Sequence, residues 1–324
     1  MAFGILGLSV ALTWFLLIST AVSALATAAT AWTTRRPAAA PARPLFWLVL
    51  RAAPSVAALV FVALAIAPSF LRFEPREGHE TAGLPLLTAA AVAVWLLACA
   101  TGRLASGARR LALLEQAWLA RATAFDGPTN GIPAFVVDSD ATGVALVGIL
   151  HPRLYVSRRL IECLSPEEFA VVMGHESAHQ SRLDNLVRWF LLGSPDAFGA
   201  NRYGRRAASH WAAAAETVAD DRAVAGSRRR ALALASALVK VARLRPADSG
   251  RAALPMSALY EGGPLTARIT RLLDGTQPPA AHPDALSATA RIALAGASLL
   301  ATIGTLAMLK PVHDVTELLV RLTR

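Results

Sequence analysis

Apolar residues fill the first hundred positions in three long runs, and the chain then changes to short alternations of hydrophobic and polar positions. The runs extend from about Phe3 to Trp32, from Leu45 to Leu71 with Arg51 near the start, and from Leu84 to about Thr101. A fourth lies near Ile292 to Leu309 and ends at Lys310–Pro311. A membrane-crossing helix needs about 20 mostly apolar residues, so the pattern predicts four spans. Ala24-Leu25-Ala26 resembles a signal-peptide cleavage site, but the first run is too long and lacks a basic start.

The segment between the third and fourth runs reads as α+β. Residues 104–121 form a basic amphipathic helix expected to lie beside the membrane. Ala134–Asp138, Val144–Gly148 and Arg153–Ser157 are short β-type runs bounded by turn residues. Either of the last two offers an edge for an extended peptide, or the sheet serves only for packing. Ser165-Pro166-Glu167-Glu168 combines an N-cap serine, a proline at the first helical position and a glutamate at the third. A helix should start there and run to about Leu192, where Gly193-Ser194-Pro195 stops it. Further helices are predicted at about 205–226 and 229–244, and a Pro-rich stretch, 277–283, leads to the fourth run.

Composition supports the membrane reading. Of 324 residues 55% are hydrophobic and 17% charged, with mean hydropathy +0.46. This excludes disorder, a disulfide scaffold and an ordinary cytosolic enzyme. Cys99 and Cys163 stand outside any C-x-x-C pair and read as small buried hydrophobes. The net charge of +10 raises the question of nucleic acid. Much of the basic excess flanks the apolar runs, however, which is the signature of topology, and no direct nucleic-acid binding is expected. Arg35, Arg36 and Arg43 follow the first run without an acid, whereas Arg72 and Arg76 are offset by Glu74, Glu77 and Glu80. Arg103, Arg109 and Arg110 follow the third. The first loop and the large polar segment are therefore expected in the cytoplasm, with both termini outside. The expected division is spans in 1–101, a cytoplasmic domain in 102–286, the fourth span in 287–310 and a short external tail in 311–324.

The capped helix carries Gly174-His175-Glu176-Ser177-Ala178-His179, an H-E-x-x-H sequence. Positions i and i+4 share a helix face, so His175 and His179 can aim at one metal ion while Glu176 reaches a water beside it. With seven histidines in the chain, a chance match is roughly a 0.005 event. A catalytic zinc site takes three protein ligands and keeps one position open. Glu216, on the following helix, is the best third ligand for one Zn²⁺ per chain. Asp220, one turn further, can take the free N–H of a ligand histidine or pair with Arg222. Asp184 and Arg182 read as ion pairs that hold the helix. Nothing selects Tyr203 or His210 as catalytic groups.

These segments, together with Pro133–Val137, Val147–Ser157, Leu164–Phe169, Arg182–Leu186 and Arg268–Leu273, resemble the BlaR/MecR-type antirepressor metallopeptidases. The resemblance covers about residues 85–310, and its H-E-x-x-H and E-x-x-A-D parts are shared with gluzincins at large. It implies a mostly α fold: four transmembrane helices carrying a cytoplasmic α+β gluzincin-like domain. It also implies zinc ligation by His175, His179 and Glu216, acid–base work by Glu176, and a multi-pass bacterial membrane protease. The implied substrate is a cytoplasmic protein, such as a transcriptional repressor. The best-known members carry an extracellular penicillin-binding sensor; here about 14 residues follow Lys310 and no S-x-x-K is present, so β-lactam sensing is not expected. Two rival readings are a housekeeping quality-control protease and a non-catalytic zinc-binding signal transducer.

Overall fold

A computed structural model describes residues 2–35, 43–75, 82–138, 143–244, 265–275 and 307–322. Helix α1 (Ala2–Arg35) pairs with α2 (Pro44–Phe61), and α2 continues through a π-helical turn, Val62–Ile66, into α3 (Ala67–Phe73). The turn precedes Pro68, which offers no N–H and would crowd the carbonyl one turn back in a regular helix. Helix α4 (Leu84–Leu119) packs against α1. Three segments, Phe3–Arg35, Pro44–Phe73 and Leu84–Leu119, are long and apolar enough to cross a membrane by length and composition.

The third apolar run and the basic segment after it form one helix rather than two. Nothing between Thr101 and Leu104 breaks α4, because Gly102 alone costs only about 1 kcal/mol in a helix interior. Its second half leaves the apolar bundle and covers the sheet with Leu111 and Trp118. The fourth apolar run lies mostly outside the described residues. Pro311 does not end it, since residues 307–322 form a helix, α12, where a tail was expected. Lys310–Asp314 and Glu317–Arg321 pair at i,i+4 on its surface, and Val312, Leu319 and Val320 pack with Leu6, Phe70 and Leu86 at one end of the bundle.

The sheet contains β1 (Thr123–Ala124), β2 (Ala134–Val137), β3 (Val144–Val147) and β4 (Arg153–Ser157) in the order β1-β2-β4-β3. Strand β4 runs parallel to β2 and antiparallel to β3, so Arg153–Ser157 is interior and not the expected free edge. The edge is β3, and Asn185 Nδ2 already donates to its Leu146 carbonyl at 2.9 Å and to that of Gly148 at 2.8 Å. Residues alternate across the pleat. Leu154 and Val156 face the main core, while Tyr155 faces α4.

Helix α5 (Arg158–Cys163) leads to α6 (Pro166–Ser181), which starts as expected: Ser165 and Glu168 form a reciprocal capping box. The helix does not run on to Leu192. Leu183 takes the left-handed conformation (φ 55°), and a new helix, α7 (Asp184–Leu192), leaves in another direction. A short α8 (Ala197–Ala200) precedes α9 (Arg202–Val224), α10 (Arg228–Leu244) and α11 (Leu265–Asp274). Helices α6, α9 and α10 pack together, and Gly174 and Ala223 bring α6 close to α9. The cysteines are free and half-buried, less enclosed than expected.

Helices α8 and α9 sit on one end of the apolar bundle. Trp47 and Ala52 of α2 and Ala26 of α1 share a core with Phe198, Trp211 and Ala215. Within it Arg51 pairs with Asp196 at 3.1 Å, and Ser55 bonds the same carboxylate. Trp47 stacks on His210 at 4.4 Å.

The cap of α6 makes a pH-dependent contribution to stability. Burial pushes the Glu168 carboxyl up, but bonds from Lys240 Nζ (2.7 Å), Ser236 Oγ (2.6 Å) and the Ser165 N–H (2.7 Å) outweigh it and hold the carboxyl below its usual range. A depressed carboxylate stabilises the fold above its unfolded value of about 4.3 and loses that contribution as pH falls through the lower folded value. Glu168→Gln should therefore cost about 1 kcal/mol at neutral pH, and the difference from the native protein should vanish in acid, as read by denaturant titrations across pH.

Candidate metal centre

His175 and His179 lie one turn apart on the face of α6 that meets α9, with ring centroids 4.7 Å apart and planes 79° apart. Their Nε2 atoms approach to 3.1 Å. Glu216 of α9 closes the triangle: Oε2 is 3.4 Å from His175 Nε2 and Oε1 is 3.5 Å from His179 Nε2. All three side chains are at most 1% exposed. Donors held about 2.0–2.1 Å from a tetrahedral ion stand roughly 3.3 Å from one another. The observed triangle matches that spacing.

Each outer nitrogen faces a carboxylate. His179 Nδ1 faces Asp184 Oδ2 at 2.7 Å, and His175 Nδ1 lies 3.0 Å from Asp220 Oδ1, though off the direct hydrogen-bond line. A proton on each Nδ1 leaves a lone pair on each Nε2, both aimed into the triangle. Among the described residues neither Glu216 oxygen accepts a well-aligned hydrogen bond, although Arg268 Nη1 lies 3.0 Å from Oε2. Buried acceptors that converge without a donor between them are costly, and a cation relieves all three at once. The same demand shows in the protonation equilibria. Burial opposes charge on His175, yet Asp220 and Glu216 raise it to about 10, so a proton goes some way toward the positive charge the site requires. Burial likewise raises Glu216 and Asp220, but both end below their usual range, chiefly because of His175 and, next, the surrounding cations.

Arg268 of α11 organises the outer carboxylates. Its Nε and Nη2 grip Asp220 at 2.9 and 2.6 Å, and Nη1 lies 3.0 Å from Glu216 Oε2. Such a bidentate fork fixes orientation as well as charge. Glu176 stands apart from the triangle. It is fully buried, neither of its oxygens has a hydrogen-bond partner, and burial raises its pKa.

The structure thus brings together His175, Glu176, His179, Glu216 and Asp220. Asp220 pairs with Arg268 rather than with Arg222, whose Nη1 donates to Ser181 Oγ. Asp184 is more than the expected helix brace, because the break at Leu183 swings its carboxylate back onto His179. The spacing from His179 to Asp184 was visible, but a continuous helix would have aimed the carboxylate away. Arg268 and Arg188 were not foreseen at the site. His210 and Tyr203 serve elsewhere: His210 stacks on Trp47, and Tyr203 accepts from Arg202.

Two imidazoles from an H-E-x-x-H helix and a carboxylate from a later helix define a metallopeptidase-type centre. The chain belongs to Peptidase family M48, whose family profile matches residues 109–275, more than half of its length. No curated protein and no solved structure matches it. M48 peptidases are metal-dependent, and membership places the His175, His179 and Glu216 cluster in a membrane-associated metallopeptidase.

If Asp184 and Asp220 orient the histidines, Asp184→Asn and Asp220→Asn should each weaken metal binding about 10–100-fold. Competition for Zn²⁺ against a chromogenic chelator reads this directly.

Proposed function

We propose that the protein is an integral-membrane zinc endopeptidase that cleaves a cytoplasmic protein. The observation that carries the reading is the buried triangle of His175, His179 and Glu216 beside a carboxylate, Glu176, that accepts no hydrogen bond from any described residue. Those three residues would hold the metal, and two nitrogens with one carboxylate suit Zn²⁺. The bound ion would supply Lewis acidity toward a peptide carbonyl and toward water. Glu176 then takes a proton from the attacking water and passes it to the departing amine. The C–N bond breaks, and the water's oxygen stays on the carbonyl carbon. Burial raises the Glu176 pKa, which favours its holding a proton between the two transfers. A site kept only for structure, as in a non-catalytic transducer, has no use for it.

The cytoplasmic assignment rests on charge. Arg35, Arg43 and Arg51 lie at the end of the bundle that carries Trp47 and Ala52, where the peptidase core docks, and Arg103 bonds the Leu192 and Ser194 carbonyls there. A regulatory role, with a repressor as substrate, is supported by the sequence resemblance, and substrate range separates it from general quality control.

Glu176→Gln should retain the metal and lose cleavage by about 10²–10⁴-fold, assayed on casein and on cytosolic proteins in reconstituted membranes. Chelation should abolish cleavage and Zn²⁺ should restore it. Full activity in a metal-loaded Glu176→Gln protein refutes the reading.

A further inference from the structure

A cavity of about 320 Å³ lies between α2, α7 and α9. Its α9 wall is Gly204, Ala208 and Ala212, spaced four apart, with Arg205 and Trp211 beside them, and the next residue in the spaced series is Glu216. At 1.5 Å per residue, Ala212 stands about 6 Å and Ala208 about 12 Å along the helix from the ligand carboxylate. These small side chains leave room along the helix that carries Glu216. Trp189 and Leu192 of α7 form the facing wall, and the lining is mostly apolar.

Arg188 belongs to both the cavity and the metal centre. It lines the cavity, and its Nη2 is 3.8 Å from Glu216 Oε1. Its side chain is 9% exposed, and neither Nη1 nor Nη2 has a hydrogen-bond partner among the described residues. The other cations of the lining are committed: Arg51 to Asp196 and the Leu191 carbonyl, Arg205 to the Ala200 carbonyl. Glu216 does not require Arg188 for charge balance, since Arg268 lies closer, at 3.0 Å. Its companions are the Glu216 carboxylate at 3.8 Å and the Trp211 ring, 5.9 Å from Cζ; a desolvated guanidinium held this loosely is incompletely satisfied, and a divalent cation nearby would repel it. Both costs are offset if negative charge develops next to it during the reaction.

We propose that this cavity is the substrate subsite beside the scissile bond, that it takes a large apolar side chain, and that Arg188 stabilises the negative charge developing on the scissile carbonyl oxygen. The inference rests on the peptidase reading. Filling the cavity should erase a side-chain preference, and shortening the guanidinium should slow turnover.

The test uses the full chain in detergent with Zn²⁺ loaded and a set of fluorogenic peptides that differ only in Ala, Leu or Phe on either side of the cleaved bond. The native protein should favour Leu or Phe at one position. In Ala208→Phe and Ala212→Leu that ratio of kcat/KM should collapse at least about tenfold, with zinc content intact. In the Glu176→Gln protein, which does not turn over, Ala208→Phe should weaken binding of a labelled Phe peptide by a similar factor. Arg188→Lys should lower kcat about 100-fold and leave KM within a few-fold. An unchanged preference and unchanged peptide binding in zinc-loaded Ala208→Phe and Ala212→Leu overturn the subsite. An unchanged kcat in Arg188→Lys overturns the role of the guanidinium. If the zinc-loaded native protein cleaves none of these peptides and no protein substrate, the peptidase reading itself has failed.

Discussion

Three sets of lone pairs meet in the interior of this protein: two imidazole nitrogens 3.1 Å apart and a carboxylate within 3.5 Å of both. In an apolar surround such acceptors repel one another, and no protein donor lies between them. A divalent cation turns the repulsion into attraction, so the domain's free energy and its chemistry depend on the same contact. The fold around the triangle answers this requirement. The capping box fixes where α6 starts, and hence which way its histidines face. The small residues Gly174 and Ala223 let α9 come close enough for Glu216 to reach them. Arg268 arrives from a separate helix to hold Glu216 and Asp220 in place.

One backbone irregularity carries much of this arrangement. A leucine in the left-handed region costs about 1–2 kcal/mol, and Leu183 has no glycine-like freedom to reduce it. The return is Asp184 on His179 at 2.7 Å and Asn185 on the outer carbonyls of β3. Strain of this kind persists where the surroundings impose it, and metal sites are among the usual places.

The residues of the candidate metal site were legible because local rules governed them. The i,i+4 histidines, the S-P-E-E cap and the later E-x-x-A-D segment each needed only helix periodicity to interpret. The spans were legible from apolar length, apart from the fourth, which falls largely outside the described residues. What escaped depended on non-local geometry. The turn at Leu183 bears no Gly or Pro, so the pattern read as one helix. The strand order that buries Arg153–Ser157 follows from a parallel crossover, which periodicity does not encode. Arg268 is more than 45 residues from its partners in sequence, and its guanidinium gave no sign that it would fold back onto Asp220. The long α4 was read as two elements because its composition changes while its backbone does not.

The Arg51–Asp196 pair has a consequence for the relation between anchor and catalyst. Both side chains are shielded from solvent, and Ser55 and the Gly199 N–H complete the coordination of the carboxylate. Severing α2 from the rest would strand Asp196 as an uncompensated buried charge, a loss on the order of 3–5 kcal/mol. It would also strip Trp47 from its place against His210 and Trp211. The catalytic half is therefore not a passenger tethered to a bilayer-embedded stalk. Part of its own interior is supplied by the anchor, and that shared interior lies against α9, the helix that carries Glu216.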